Sequence, residues 1–350
     1  MPGAPAKCCA ACFGDRGLTR LIEGMSTENG ACAFCGSEGV PLIAPRALAD
    51  LFGPIVSIYE PSAEGRLLIE WFRDDWDLFH HPRLADNARA KELLAEVLNN
   101  GEIVRATFAP SPKYQTDRLL KWEQLRSELM HENRYFPAVK LDLDRLDELF
   151  GYLQAAEFPG IWYRARLQTG DQPFDPADMG PPPRRIASHG RANPAGIPYL
   201  YLGSTAETAV AEIRPHTGEK ACVAEFRLQD GLKLVDLRSP RRVISPFQLA
   251  DEDELGSLRS DVMFLERLGD ELTRPILPQG APFDYVPSQY LCEYIKKCGY
   301  DGVLYRSSVS QGINLALFKP EKAAAQGVAQ YDVLKVEATI QRAAPPDGAA

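Results

Sequence analysis

One stretch of this chain, residues 189–215, constrains its folding more than any other. The sequence HGRANPAGIPYLYLGSTAETAVAEIRP predicts a loop, a short strand over residues 199–202 and then a helix. Ser204 and Glu207 match the ends of an S/T-x-x-E capping box, so the helix is expected to start at Ser204. Glu212 lies on a helix face with small residues, which leaves room for a ligand beside its carboxylate. A buried stripe is predicted at i, i+4 and i+7, namely Ala206, Val210 and Ile213.

Five of the eight cysteines fall within the first 35 residues, and four of these form two C-x-x-C pairs. Cys9 and Cys12 make one pair, Cys32 and Cys35 make the other, and 19 residues separate the pairs. Two such pairs supply the four thiolates that zinc prefers in a closed, structural site. We therefore expect structural Zn²⁺ here, with Cys8 as an alternative ligand to Cys9. The remaining cysteines follow apolar patterns and are predicted to be core thiols: Cys222, Cys292 and Cys298.

The charge balance narrows the choice of partners. The 350 residues carry a formal net charge of −9, which argues against a broad nucleic-acid-binding surface. No apolar run approaches the ~18 residues that a bilayer span requires. The N-terminal sequence MPGAPAKCC also lacks the apolar core of a signal peptide. We expect a cytoplasmic protein without a membrane partner, in which clustered cysteines bind metal rather than form disulfides.

Residues 44–132 have mainly helical patterns, and a connecting helix is predicted over residues 142–153. Arg126 and His131 match the loose Arg…His spacing of HEPN ribonucleases. Both residue types are common, so a structural role is the simpler interpretation. The boundary between the helical part and the rest of the chain is expected between residues 137 and 159.

The chain beyond residue 160 alternates strands with helices. Residues 161–167 predict a strand that places Arg164 on the same face as Trp162. A turn-rich segment follows over residues 168–198, and segments of this length are usually functional lids or disordered. Ser307 and Ser308 begin a polar loop between two further strands. The remaining strands are predicted at 220–228, 232–237, 301–305, 313–318 and 335–340, with helices at 244–274 and from 286 onward.

Three separated pieces of the second half together resemble the RES family, which is named for an arginine, a glutamate and a serine. The pieces are WYR at 162–164, the block at 190–212, and YRSSVSQGINLALF at 305–318. Their order, flanking residues and spacing match over roughly residues 160–318. The cysteine motifs CCAACF and CAFCG resemble the HEPN-associated domain that precedes some RES domains.

The RES resemblance implies both an activity and a set of site residues. It implies a fold like that of ADP-ribosyltransferases, with a mixed sheet around an NAD cleft. Characterised members degrade NAD⁺ by phosphorolysis or hydrolysis, and many are toxins paired with an antitoxin protein. Carried over, the catalytic residues are Arg164, Glu212 and Ser307, and the NAD-binding residues are Arg191, Tyr201, Tyr163 and Ser308, the last also being the alternative to Ser307.

The expected chemistry suits these residue types. Cleavage of the nicotinamide–ribose bond develops positive charge on the ribose, which the Glu212 carboxylate can stabilise. Arginine forks suit the pyrophosphate of NAD⁺ and an attacking phosphate, if inorganic phosphate is the co-substrate. Ser307 is expected to hold phosphate or ribose through its hydroxyl. Two alternatives remain open: ADP-ribose transfer to a macromolecule, and a non-catalytic, zinc-stabilised binding module.

The sequence thus predicts an α+β protein built from four segments. These are a four-cysteine zinc knuckle over residues 1–42, a helical domain over 43–155, a mixed-sheet RES domain over 156–342 and a disordered tail over 343–350. The expected partners are NAD⁺ and an antitoxin protein, with a homo-oligomer as a further option. Whether water, phosphate or a macromolecule accepts the ADP-ribose is left open by the sequence.

Overall fold

The computed structural model describes residues 6–249, 251–277, 279–337 and 340. The helices are α1 (Arg16–Met25), α2 (Ala49–Ser57), α3 (Leu68–Trp76), α4 (Asn87–Leu98), α5 (Arg118–His131), α6 (Leu143–Tyr152), α7 (Ala206–Glu212), α8 (Pro240–Val243), α9 (Glu252–Thr273), α10 (Ala281–Asp284) and α11 (Val286–Lys297). The strands are β1 (Glu28–Gly30), β2 (Val40–Leu42), β3 (Tyr59–Leu67), β4 (Thr107–Pro110), β5 (Ile161–Leu167), β6 (Leu200–Gly203), β7 (Lys220–Leu228), β8 (Leu234–Asp236), β9 (Gly302–Arg306), β10 (Ile313–Leu317) and β11 (Ala323–Asp332). None of these described helices has the length and hydropathy that crossing a bilayer requires.

Seven strands of the C-terminal half form one mixed sheet in the order β11-β7-β5-β6-β10-β9-β8. Neighbouring strands are antiparallel except for β8 and β9, which run parallel. The prediction of an α+β fold with a mixed sheet is therefore confirmed. Strands β5 and β6 share a single residue pair, Tyr163 opposite Gly203, and they diverge beyond it. Arg164 follows this pair directly, so its side chain lies where the sheet opens.

Helices pack against one face of the sheet, and the turn-rich segment after β5 packs against the other. Helices α7, α9 and α11 pack against one face. Leu202, Leu304 and other alternating apolar residues point to the opposite face, where they meet the turn-rich segment after β5. Met179 of that segment is fully buried there, and Phe174 packs beside it. The first half of this segment is therefore neither a lid nor disordered, because its apolar side chains complete the core on that face.

Helix α9 joins the N-terminal helices to the sheet. It packs against α2, α3 and α5 on one side and against α11 and β9 on the other. Its fully buried Leu258 and Leu265 belong to one hydrophobic cluster that also contains Phe52 and Trp122 of the N-terminal helices. The core thus runs across the boundary expected between residues 137 and 159, and the division into domains stays a prediction.

Buried ion pairs also fasten α9 to the preceding helices. Asp261 is fully buried and accepts hydrogen bonds from Arg118 Nη1 at 2.5 Å and from Arg145 Nε at 3.1 Å. Arg126 Nε donates to Oε1 of the fully buried Glu271 at 2.8 Å. Arg126 therefore has the structural role that the simpler interpretation of its HEPN-like spacing gave it.

A buried aspartate secures the start of β9. Asp301 Oδ1 accepts from Lys319 Nζ at 2.8 Å and pairs with Lys322 Nζ at 2.8 Å, while Oδ2 accepts from the Lys233 N–H at 3.1 Å. Burial alone would raise the pKa of this carboxyl, but the two ammonium groups and the N–H outweigh burial and lower its pKa to about 2. The ionised Asp301 thus joins the segments that flank β8, β9 and β10.

The start of α7 differs from the prediction by one residue. Thr205, and not Ser204, is the N-cap, because Thr205 Oγ1 accepts the Thr208 N–H at 3.1 Å. Ser204 Oγ instead accepts the Ile313 N–H at 3.1 Å and so ties the helix start to β10. Thr208 and Ala209 are the buried residues of the helix. The predicted stripe is only half-buried and packs beside them: Ala206, Val210 and Ile213.

The last strand is also displaced from its expected place. The structure has β11 at Ala323–Asp332, paired with β7, whereas residues 335–337 form no strand. Residues 338 and 339 of the expected strand and the expected tail at 343–350 lie outside the described residues, as does the end of the RES segment at 342. Helix α1 and two small two-stranded sheets, β1–β2 and β3–β4, were not predicted from the sequence.

Candidate active site

A cleft of about 460 Å³ opens beside the point where β5 and β6 diverge. Helix α7 forms one wall, and the segment that follows α9 forms another. The polar lining consists of three arginines, one glutamate and one asparagine: Arg164, Arg191, Arg214, Glu212 and Asn314. Four tyrosines supply much of the remaining surface: Tyr163, Tyr201, Tyr285 and Tyr305. The cleft therefore carries an excess of positive charge with a single carboxylate, although the whole chain is acidic.

Arg164 occupies the opening between the two diverging strands. Its Nη1 donates to the main-chain carbonyl of Tyr201 at 3.2 Å, and its buried Nε has no hydrogen-bond partner among the described residues. No described carboxylate lies within 4 Å of its guanidinium. Burial, followed by the nearby Arg166 charge, lowers the pKa of Arg164 to about 10, so it stays protonated at neutral pH. A buried cation without a counter-ion is suited to bind an anion.

Arg191 reaches the same cleft from the GRANP turn. Its Nη1 donates to the Arg274 carbonyl oxygen at 2.7 Å, and its guanidinium carbon lies 5.5 Å from the ring centroid of Tyr285. The Ser288 hydroxyl donates to the Arg191 carbonyl oxygen at 2.5 Å. These contacts hold Arg191 at the end of α9, and no carboxylate of the described residues pairs with it.

The GRANP turn is held together by Asn193 and Tyr201. The Tyr201 hydroxyl donates to Asn193 Oδ1 at 2.7 Å and accepts the Ala192 N–H at 2.9 Å. A Cβ at Gly190 would lie 2.4 Å from Asn193 Oδ1 and 2.6 Å from the Tyr201 hydroxyl, so only glycine fits there. Burial of the Tyr201 hydroxyl raises its pKa far above the ordinary value. Tyr201 thus lines the cleft with its ring while its hydroxyl fixes the turn that carries Arg191.

Glu212 is at the end of α7, and one oxygen of its carboxylate is fixed. Oε1 accepts from Ser307 Oγ at 2.7 Å and from Asn314 Nδ2 at 2.6 Å. Oε2 has no hydrogen-bond partner among the described residues. The helix approaches the sheet closely, since a Cβ at Gly203 would lie 2.8 Å from the Ala209 nitrogen. Ser307 and Asn314 therefore orient the carboxylate through Oε1, and Oε2 is available to a ligand.

Ser307 lies behind Glu212 and does not line the cleft itself. Besides donating to Glu212, its Oγ accepts the N–H groups of Val309 at 3.2 Å and Ser310 at 3.1 Å. Its hydroxyl proton is therefore directed at the carboxylate. Ser308 is half-buried and makes no side-chain hydrogen bond within the described residues. The structure thus favours Ser307 over Ser308 as the serine that acts on Glu212.

Of the sequence-predicted site residues, Arg164, Arg191, Tyr163, Tyr201 and Glu212 lie in this one cleft. Four polar or tyrosine residues of the lining were missed, namely Arg214, Asn314, Tyr285 and Tyr305. Asn314 could have been found as a polar residue inside the apolar strand INLALF, where it is buried at 5% exposure. Tyr285 gave no signal, because it is the single residue that joins α10 to α11.

The four predicted metal ligands also come together. The Sγ atoms of Cys9 and Cys35 lie 3.4 Å apart, those of Cys12 and Cys32 lie 3.4 Å apart, and all four lie within 4.8 Å of one another. Tetrahedral zinc with Zn–S bonds of about 2.3 Å needs sulfur separations of about 3.8 Å, so the cluster fits that ion. Cys8 is outside the cluster, because its thiol faces the Ile43 carbonyl oxygen at 3.6 Å. Cys222 and Cys292 are fully buried core thiols as predicted, whereas Cys298 is half-buried.

Comparison with known proteins agrees with this arrangement. The family model described as RES domain matches residues 161–339, which is about half of the chain and contains all residues of the cleft. The chain therefore belongs to the RES-domain family. No curated protein matches it.

One solved structure that the chain resembles is entitled the crystal structure of the M. tuberculosis MbcT–MbcA toxin–antitoxin complex. The match has 17% sequence identity and a TM-score of 0.31, and it covers 53% of this chain and 91% of the other.

Proposed function

We propose that this protein degrades NAD⁺ by cleaving the bond between nicotinamide and ribose, with phosphate or water as the acceptor. The observation that carries the proposal is the setting of Glu212. One carboxylate oxygen is held by Ser307 and Asn314, and the other is left available in a cleft that also holds Arg164 and Arg191. Membership of the RES-domain family supports the same reaction.

In the proposed reaction, the bonding electron pair of the C1′–N bond leaves with nicotinamide. The pyridinium nitrogen is already positively charged, so nicotinamide departs neutral and needs no proton. Positive charge develops on the ribose next to the Glu212 carboxylate, which stabilises it electrostatically. An oxygen of water or phosphate then bonds to C1′, and with water one proton is released to solvent.

The arginines are proposed to bind the anionic groups. Arg164 and Arg191 meet no carboxylate among the described residues, so both guanidinium groups are free to bind phosphate oxygens in bidentate fashion. Ser307 is proposed to act through Glu212, since its hydroxyl proton is directed at Oε1. Tyr163 and Tyr201 offer ring surface to nicotinamide or adenine, and Ser308 remains the alternative serine.

The proposal is tested by incubating purified protein with NAD⁺, with and without inorganic phosphate, and identifying the products by mass. ADP-ribose phosphate that forms only with phosphate identifies a phosphorylase, and ADP-ribose in both conditions identifies a glycohydrolase. We expect Glu212→Gln and Arg164→Ala to lose turnover by at least about a hundredfold while the protein stays folded. Glu207→Gln, on an exposed carboxylate of the same helix, is the matched control and should retain activity.

Full turnover in Glu212→Gln would refute the proposed role of the carboxylate. Absence of NAD⁺ loss in the wild-type protein would favour the two other functions. A modified macromolecule in a lysate supplied with labelled NAD⁺ would then indicate an ADP-ribosyltransferase. Without such a product, a non-catalytic binding module is the remaining interpretation.

The family membership also supports a role as a toxin that a separate antitoxin protein neutralises. Expression of the wild-type protein should then arrest growth, and Glu212→Gln should relieve the arrest. An antitoxin encoded beside the gene should restore growth when it is co-expressed. Growth that is equally slow with Glu212→Gln would contradict an NAD-dependent toxin.

The four-cysteine cluster is proposed to hold structural Zn²⁺ in a cytoplasmic protein. Its four sulfurs come from two turns near the N-terminus. All four cysteines are buried and belong to the large hydrophobic cluster that also contains Phe52 and Trp122. The ion would offset half of the negative charge of four clustered thiolates and fix both turns. The relation of this region to HEPN-associated domains, and the division into segments at 1–42, 43–155 and 156–342, are part of the same proposal.

A further inference from the structure

A second cavity, of about 630 Å³, lies at the carboxyl ends of the parallel strands β8 and β9. We name it the arginine cavity, because its lining includes Arg16, Arg238, Arg242 and Arg306. Ser307 separates it from the substrate cleft, since this residue lines the arginine cavity while its hydroxyl reaches Glu212. The arginine cavity is therefore close to the candidate active site but shares no lining residue with it.

Two of the four arginines of the cavity form an ion pair with a described carboxylate. Asp236, its one acidic lining residue, is engaged by Arg238, which donates through Nε at 2.8 Å and through Nη2 at 2.6 Å. Arg242 pairs with Asp77, which does not line the cavity, at 2.5 Å. Arg16 and Arg306 form no ion pair with any described carboxylate. Arg16 and Arg306 thus have no paired carboxylate among the described residues, although Asp15 and Glu266 are near enough to attenuate their charges.

These cations come from distant parts of the chain. Arg16 begins α1, Arg238 and Arg242 follow β8, and Arg306 ends β9. The Arg306 guanidinium donates to the Ser239 hydroxyl, which directs it toward the segment that carries the other two. Like charges gathered from three segments repel one another, and a bound anion would relieve that repulsion. An arginine fork binds phosphate oxygens in bidentate fashion, and the volume is in the range of small-molecule sites.

We propose that the arginine cavity binds a phosphate-bearing anion, separately from the substrate cleft. The ligand is inorganic phosphate or the phosphate groups of a nucleotide, and Arg16 and Arg306 are its principal contacts. Because Arg16 belongs to the N-terminal region and Arg306 to the RES domain, the site needs both parts of the chain. The proposal does not depend on NAD⁺ cleavage, so failure of either proposal leaves the other unaffected.

The test is calorimetric titration of the full-length protein with inorganic phosphate and with ADP at low ionic strength. Arg16→Gln and Arg306→Gln should each weaken one binding event by about tenfold or more. Arg20→Gln is the matched control, because Arg20 is an exposed arginine on the same helix that does not line the cavity. Arg164→Ala, which removes a cation from the substrate cleft, should also retain this binding event.

The two probes distinguish the sources of the phosphate. Tighter binding of ADP than of phosphate, with loss in both cavity variants, identifies a nucleotide site. Equal binding of the two probes with the same loss identifies a phosphate site. The proposal is overturned if the cavity variants bind like the wild type, if only Arg164→Ala loses binding, or if the wild type binds neither probe at millimolar concentration.

Discussion

Neutralising Glu271 tests whether the N-terminal helices support the cleft through α9. Glu271 is fully buried near the end of α9 and contacts three guanidinium groups. Its Oε1 lies 2.8 Å from Arg126 Nε and 2.7 Å from Arg267 Nη1. Its Oε2 lies 3.2 Å from Arg274 Nε without a hydrogen bond. Because the Arg274 carbonyl oxygen holds Arg191, the carboxylate is two contacts away from the proposed NAD⁺ site.

The substitution Glu271→Gln lowers the free energy of unfolding, because it leaves three guanidinium groups without their buried carboxylate. Removing one partner of a buried ion pair leaves the other charge uncompensated and costs about 3–5 kcal/mol. The guanidinium groups are 20%, 23% and 27% exposed, so water offsets part of that cost. The contact with Arg274 is also purely electrostatic, because it includes no hydrogen bond. We therefore expect a loss of about 3 kcal/mol, which corresponds to a fall in Tm of roughly 4 °C for a chain of this size.

The assay compares Glu271→Gln with Glu123→Gln. Glu123 accepts from the same Arg267 at 2.5 Å but is 42% exposed, so its loss should cost no more than about 1 kcal/mol. Thermal and urea unfolding measure the stability, and the KM for NAD⁺ measures the support of Arg191. We expect KM to rise several-fold in Glu271→Gln with a smaller change in kcat. Equal stability and equal KM in the two variants would refute this reasoning.

Three further predictions follow from other sites. Cys32→Ser should remove zinc from the purified protein and lower its Tm, whereas Cys8→Ser should retain zinc by elemental analysis. Asn314→Ala removes one of two hydrogen bonds to Glu212, so kcat for NAD⁺ should fall about tenfold, and an unchanged kcat would show that Ser307 alone suffices. The lowered pKa of Asp301 contributes stability above its ordinary value of 3.8, and this contribution is lost as the pH falls to about 2. The stability difference between wild type and Asp301→Asn in urea unfolding should therefore be full at neutral pH and shrink across that interval.

The elements that the sequence predicted well are those with strong periodicity. Helix α6 and strands β5 and β7 follow local patterns, and the structure has them within one residue of the predicted bounds of 142–153, 161–167 and 220–228. Strand β11 was missed because its sequence, AAAQGVAQYD, is small and polar without alternation. Its place depends on pairing with β7, which lies about a hundred residues earlier in the chain.

The candidate site was predictable where a motif carried it and not where distant contacts did. Arg164, Arg191 and Glu212 were identified from the RES motifs and lie in one cleft. The role of Ser307 was not predictable, because its hydrogen bond to Glu212 joins residues 95 positions apart. The helix cap was placed one residue early for the same reason: the Ser204 hydroxyl is used by β10, and a local pattern does not contain that strand.

The contacts of α9 explain why a RES domain is joined here to a helical region with a common core. The segment immediately after α9 supplies Ile276, Ala281 and Tyr285 to the cleft, so the position of α9 sets the position of that wall. Most of what surrounds α9 on its other side comes from N-terminal helices, through apolar contacts and through the buried Asp261 and Glu271. A change in the packing of α5 is therefore expected to shift α9 and the cleft residues that follow it. The N-terminal region thus supports one wall of the cleft through α9, although it contributes no lining residue, since the lining begins at Tyr163.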